Sequence, residues 1–186
     1  VLLLKLSNTP YQTYFKGAQF IHFLLGPATV ALAIPLYREV AMIRKTFRPI
    51  AIALLSGSLA AIASAVGIAW LLGGERVLLL TLAPKSVTTP IAMGISEQIG
   101  GLPSLTAVAV VLTGITGTVI GDLVLKWVRV HDDTARGMAF GVASHGIGTA
   151  HAMQKSRTAG AFSALAMALN GLITALLLPL LISLLR

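Results

Sequence analysis

The chain contains no cysteine. That excludes a disulfide framework, a thiol nucleophile and a thiolate metal site. Charge is scarce: 11% of the 186 residues are Asp, Glu, Lys or Arg, against about 25% in a soluble domain. Acids are scarcer still, six against fourteen bases. Aromatic residues make up only 6%. The sequence has no GxGxxG, P-loop, GxSxG or HExxH motif, so neither an enzyme nor a cofactor is indicated. No carboxylate or thiol stands at ligand spacing from the histidines, which argues against a metal site.

What is present is apolar: 56% hydrophobic residues, a mean hydropathy of +0.88 and 18 glycines. Abundant glycine suits closely packed membrane helices. A net charge of +8 would hint at nucleic acid in a soluble protein. Here the bases lie in short gaps between apolar runs, as in membrane loops, so no nucleic-acid partner is expected.

The apolar runs define spans, because a membrane helix needs about 20 mainly apolar residues. Residues 17–37, 49–74 and 158–185 carry no charge. Residues 105–121 are charge-free and extend to Lys126 past Asp122; 77–96 hold only Lys85; 137–154 hold two histidines, His145 and His151. Residues 1–6, VLLLKL, read as the tail of an earlier helix. The first residue is Val, so an N-terminally incomplete sequence is expected. The predicted fold is an all-α multi-pass membrane protein, residues 1–186 forming one membrane domain.

Residues 49–74, 104–128 and 158–185 read as ordinary spans. Gly57, Gly67, Gly114, Gly117 and Gly121 are predicted to let neighbouring helices approach closely. Three other segments read as interrupted. The first, 17–40, contains Gly26-Pro27, which removes a backbone donor and disfavours helix just before it. The second carries Pro84 and Pro90 within 81-TLAPKSVTTP. The third contains 144-SHGIGTAHAMQKS, with Gly146 and Gly148 after a histidine. Irregular backbone at membrane depth is tolerated only inside protein or along a watery cavity. Paired broken segments point to a transporter's binding site. All three breaks are therefore expected to converge on one cavity at mid-membrane.

A weak internal repeat accompanies the breaks. Sliding by 120 residues sets 16-KGAQF on 136-RGMAF, Gly26 on Gly146 and Thr29 on Thr149, suggesting repeat halves 16–74 and 136–185. Loop charge suggests their orientation. Residues 38–48 hold Arg38, Arg44, Lys45 and Arg48, which places that loop in the cytoplasm. The basic 126–136 loop joins it there only if 77–97 is a re-entrant pair of half-helices. Segment 137–154 is then expected to cross outward, making the repeat inverted. Lys155 and Arg157 fit that crossing poorly, unless 137–154 also turns back.

Lys85 sits near the middle of its segment, where a charge costs roughly 2.5–3.5 kcal/mol on insertion scales and normally faces protein or water. Lys85, the hydroxyls of Ser86, Thr88 and Thr89, and a half-helix N-terminus near Pro90 together make a small anion cradle. Ser144, His145, Gly146, Gly148 and Thr149, clustered at the other break, are expected to close its far side. Asn170 in the last helix is a candidate polar support. Asp122 is another, read as an i,i+4 helix pair with Lys126. The Asp132-Asp133 pair reads as solvated loop. No acidic pair of the kind a sodium site needs is present, so proton coupling or exchange is expected.

These residues carry a resemblance. The block 83-APKSVTTPIAMGISEQIGG, followed by 104-SLTAVAVVLTGITGTVIG and 136-RGMAFGVASHGIGTA, resembles the LrgB/CidB family. The upstream 14-YFKGA and 26-GPATVALAIPLY also fit, so the likeness covers essentially the whole chain. Members of that family usually carry one or two more membrane segments at the start. The resemblance implies two alternative functions. One is antiholin-like or holin-like control of murein hydrolase activity and autolysis, with a small LrgA/CidA-type membrane partner and self-assembly into a homo-oligomer. The other is transport of small carboxylates such as glycolate, glycerate, pyruvate or lactate, since the plastidial glycolate/glycerate translocator has an LrgB-like part. Either implies the bacterial inner membrane. Broken helices around a buried lysine favour transport over a simple pore.

Overall fold

A computed structural model describes residues 33–184, together with Ser7, Thr13, Lys16 and Gly17. The break expected at Gly26-Pro27, with the rest of residues 18–32, lies outside the described residues. Among the described residues the chain is helical, with no strand. Two short helices, α1 (Ala33–Arg38) and α2 (Val40–Lys45), lead into α3 (Phe47–Leu71). Then come α4 (Arg76–Leu82), α5 (Thr89–Ile99), α6 (Pro103–Trp127), α7 (Asp133–Lys155) and α8 (Arg157–Leu184).

Three of these, α3, α6 and α8, are long and apolar enough to cross a membrane. At about 1.5 Å per residue, the 25 residues of α6 span about 37 Å, more than the roughly 30 Å hydrocarbon core. The chain is an all-α membrane protein. Its spans begin and end within three residues of the expected 49–74, 104–128 and 158–185.

The pair α4 and α5 cannot cross, because seven and eleven residues reach only about 10 and 16 Å. They form a re-entrant hairpin, as expected. After α5 the chain returns to α4: the Leu102 N–H donates to Thr81 Oγ1 at 2.9 Å, and Thr106 Oγ1 donates to the Thr81 carbonyl at 2.9 Å. Gly101 permits the return. A Cβ there would lie 3.0 Å from the Thr81 nitrogen. The αL residue Gly100 (φ 88°) caps α5, a conformation that favours glycine.

Helix α7 corrects the expected crossing at 137–154. It is broken at His145 (φ 42°, ψ −130°) and folds back on itself. Three contacts establish this. A Cβ on Gly148 would lie 2.6 Å from the Phe140 carbonyl oxygen. The rings of Phe140 and His151 lie 5.0 Å apart. Arg136 at one end and Lys155 at the other bind the same carboxylate, Asp122. Lys155 and Arg157 therefore stand on the same face as the 126–136 loop, which removes their misfit with the charge pattern.

The two hairpins enter from opposite faces. The first is based at the N-terminal end of α6, through Leu102 and Thr106; the second at its C-terminal end, through Asp122. Both meet the middle of α6, where His145 reaches Val110 and packs on Gly114. In the described residues an inverted pairing thus relates 47–99 to 103–155. Each half is a 25-residue helix followed by a re-entrant hairpin.

Small residues set the spacing, since apolar helices gain nothing by leaving lipid and must interlock. Ile147 and His145 fill the space over Gly114, Ser144 that over Gly117, and Phe140 that over Gly121. Gly57 accepts Val142, with a Cβ there 3.1 Å from its Cγ1. Gly67 departs from expectation: nothing lies within 4 Å of a Cβ built there. Across the α7–α8 seam, Gly137 meets the carbonyl of Ala159, and Gly141 that of Ser163.

Candidate functional site

The tip of the first hairpin is the stretch 83–88. Pro84 and Val87 are fully buried and anchor it. Two tight turns carry the chain round: the Lys85 N–H donates to the Leu82 carbonyl at 3.1 Å, and the Val87 N–H to the Pro84 carbonyl at 3.3 Å. Thr88 is extended (φ −62°, ψ 146°), and α5 starts immediately after it with Pro90 in its first turn. This is the expected half-helix N-terminus. Thr88 and Thr89 are half-buried and Pro90 is exposed.

Lys85 is half-buried, its Nζ 3.4 Å from Ser86 Oγ. Among the described residues no carboxylate lies within ion-pair distance of it; the ion pairs there all centre on Asp122. Lys85 lines a cavity of about 710 Å³ whose other walls are apolar side chains of α3, α4 and the start of α6. Gly73, Gly74 and Glu75, in the connection between α3 and α4, also line it.

The second tip is built around His145. Its Nε2 lies 2.9 Å from the Val110 carbonyl, so that nitrogen carries the proton and donates. The His145 carbonyl accepts from Thr149 Oγ1 at 2.8 Å, and Thr149 Oγ1 also lies 3.0 Å from Ser163 Oγ. These bonds hold a backbone conformation that only glycine adopts without cost. The glycines of the motif do other work. Gly146 is exposed and Gly148 lets the returning arm touch Phe140; the positive φ belongs to His145.

Asn170 joins the two tips. Its Nδ2 donates to the Ser86 carbonyl of the first hairpin at 3.3 Å and to the Val142 carbonyl of the second at 3.2 Å. Its Oδ1 accepts from Ser58 of α3. A carbonyl just before a helix break loses its usual partner four residues on, and a buried one must find another. One buried amide here serves both breaks.

The structure therefore joins the tip that carries Lys85 and Ser86 to the tip that carries His145 through one side chain, Asn170. Ser144 faces Gly117 on α6, and Thr149 faces Ser163 on α8. The described breaks meet tip to tip, and the cavity at Lys85 is walled by α3, α4 and α6. A single cavity shared by all three breaks was expected; the first break lies outside the described residues, and the two described tips are joined through Asn170.

Asp122 does not pair with Lys126 as expected. It binds Arg136, His151 (2.8 Å) and Lys155 (2.9 Å). The fold of α7 brings those three side chains closer than the neighbour one turn along. Sequence reasoning missed this cluster, and missed Ser58. The available signals were a buried hydroxyl in an otherwise apolar span, and cations at both ends of a broken segment. Among the described residues no group of His, Asp and Glu is arranged to hold a metal ion.

The LrgB-like family model matches residues 1–184. "Uncharacterized protein YwbG" of Bacillus subtilis (strain 168) is 43% identical over 182 residues, covering 97% of this chain and 80% of the relative. A protein of Haemophilus influenzae is 38% identical over 177 residues, 95% of this chain and 77% of its own. "Antiholin-like protein LrgB" of Bacillus cereus (strain B4264) is 33% identical over 179 residues, with 96% and 78% covered. No solved structure matches.

Proposed function

The chain belongs to the LrgB-like family, and we propose that it is a secondary transporter or exchanger of small monocarboxylates in the bacterial inner membrane. One observation carries the reading. Lys85 stands at the tip of one re-entrant hairpin, next to Ser86, whose carbonyl shares Asn170 with the hairpin from the opposite face, and no protein carboxylate lies at ion-pair distance among the described residues. A buried ammonium needs a counter-charge, and a solute carboxylate supplies one. Ser86, Thr88 and Thr89 offer hydroxyls to it, and the start of α5 adds partial positive charge without another titratable group. Pyruvate, lactate, glycolate and glycerate are the class of solute that fits. His145, hydrogen-bonded at the opposite tip, is the group best placed to carry a coupled proton.

The route follows from the hairpins. From one face the solute reaches Lys85 along the cavity that Gly73, Gly74 and Glu75 also line. To leave by the other it must pass the second hairpin. The face holding Arg44, Lys45, Arg48, Lys126, Arg129, Arg136, Lys155 and Arg157 is cytoplasmic by the positive-inside rule.

The test is uptake of radiolabelled pyruvate, lactate and glycolate into proteoliposomes, with and without a pH gradient. Lys85→Met is expected to lower uptake on the order of 100-fold, the loss of a charge-assisted contact worth ~3 kcal/mol. Lys85→Arg is expected to fail nearly as badly, because a planar fork replaces a point charge. Uptake at the wild-type rate in Lys85→Met would refute the reading. The antiholin-like name of the Bacillus relatives supports a second reading: a regulator of lysis acting with a small membrane partner or as a homo-oligomer. Dye release from the same vesicles, unaffected by Lys85→Met, would favour it.

A further inference from the structure

The Asp122 cluster has no part in the anion site at Lys85, yet it is the most highly charged contact among the described residues. One carboxylate holds three side chains: Arg136 from the first arm of the second hairpin, and His151 and Lys155 from the second arm. Asp122 itself belongs to α6. The cluster therefore clips both arms to a third element at the hairpin's base, on the basic face. The side chains of Arg136, His151 and Asp122 are 20–29% exposed, so the cluster is partly shielded but open to solvent. Charge there is unbalanced. Arg136 and Lys155 alone exceed Asp122 by one positive charge, and Lys126, Arg129 and Arg157 stand on the same face with Asp132, Asp133 and Glu39.

We propose that this cluster is a carboxylate-binding site on the basic face, occupied in the closed state by the chain's own Asp122, and that a solute carboxylate opens the second hairpin by taking its place. Arg136 and Lys155 form a receptor for one carboxylate group. A free monocarboxylate offers them the same two oxygens without the tether to α6. Once Asp122 is displaced, no ion pair among the described residues ties the arms to that helix. Beneath the cluster the arms rest on α6 through glycines 114, 117 and 121 and the His145–Val110 bond, and on α8 through Gly137, Gly141 and the Thr149–Ser163 contact, all without charge. The path uncovered by the arms leads to His145 and Lys85. The ligand class rests on the transport reading above; the latch does not.

The absence of native cysteine makes the test direct. Ser163→Cys places a nearly isosteric thiol at a fully buried position beneath the arms, against Gly141 and Thr149. An impermeant maleimide is added to the basic face of oriented proteoliposomes, and the rate of labelling is measured. Labelling should be slow in Ser163→Cys alone, and millimolar pyruvate on that face should speed it. Adding Asp122→Asn should raise the rate at least about tenfold without pyruvate, as a closed-state loss of roughly 1.4 kcal/mol would, and leave pyruvate little to add. Asp122→Glu should keep labelling slow. A Ser96→Cys reporter, buried at the base of the other hairpin, is probed with a membrane-permeant maleimide and should stay unlabelled in Asp122→Asn, which separates opening from unfolding. The proposal is overturned by an unchanged rate in Asp122→Asn, by labelling of Ser96→Cys alongside, or by a wild-type rate indifferent to pyruvate. Because labelling needs no transport, a failure here leaves the Lys85 reading standing, and the reverse.

Discussion

The two re-entrant hairpins solve one problem in different ways. Each must turn the chain inside a membrane, where unpaired backbone groups cost several kcal/mol. The first spreads its turn over six residues. Pro84 and Pro90 bracket it, Ala83 is still helical (φ −52°, ψ −45°) and Thr88 is ordinarily extended. The second concentrates its turn in His145, whose φ of 42° costs about 1–3 kcal/mol. Neighbours maintain it, through Val110, Thr149, the α8 backbone and the Asp122 ion pairs. A turn encoded in its own residues is rigid. A turn held from outside can be released, which fits a fixed anion site on the first hairpin and a gate on the second.

Crowding the second hairpin should break the comparison most severely. Gly141→Val would drive a side chain into the Ser163 carbonyl and Ala166. It is expected to cost about 3 kcal/mol or more, seen as a large drop in the temperature at which the detergent-solubilised protein aggregates. Asn170→Ala comes next. It strips partners from the Ser86 and Val142 carbonyls and from Ser58, and about 2–4 kcal/mol is expected from the unpaired groups. Proteolysis should then find both hairpins loosened together. Loosening of only one would show that the tips are not coupled through this amide.

The strain at His145 can be isolated by a pair of variants. Both His145→Ala and His145→Gly lose the bond to Val110, but only glycine relaxes at a positive φ. The glycine variant is expected to be the more stable by about 1 kcal/mol, measured as a difference in unfolding temperature. Equal stabilities would mean the tip is not strained. The smallest effect belongs to the first hairpin. Pro90→Ala, exposed in the first turn of α5, is expected to cost under about 1 kcal/mol, since other residues share the turn. A loss larger than that of His145→Ala would reverse the contrast.

Sequence alone determined the membrane class, the three long spans and the first hairpin. Those features rest on local chemistry. Charge-free length makes a span, and prolines around Lys85 break a helix wherever the chain is placed. The basic loops also marked one face, because charge is excluded from lipid whatever the packing. Lys85 and Asn170 were legible for the same reason: a polar group at depth must be satisfied by something. What satisfies it was not legible. That Asn170 bridges Ser86 and Val142, that the glycines at 146 and 148 leave the break to His145, and that Asp122 binds Arg136, His151 and Lys155 in place of Lys126 were settled by tertiary structure. The Asn170 and Asp122 contacts join residues 14 to 84 positions apart, and only the fold sets such distances. Periodicity and punctuation specify where a chain can turn; packing against α6 and α8 decided that 137–154 turns back and brings its two cationic ends to one carboxylate.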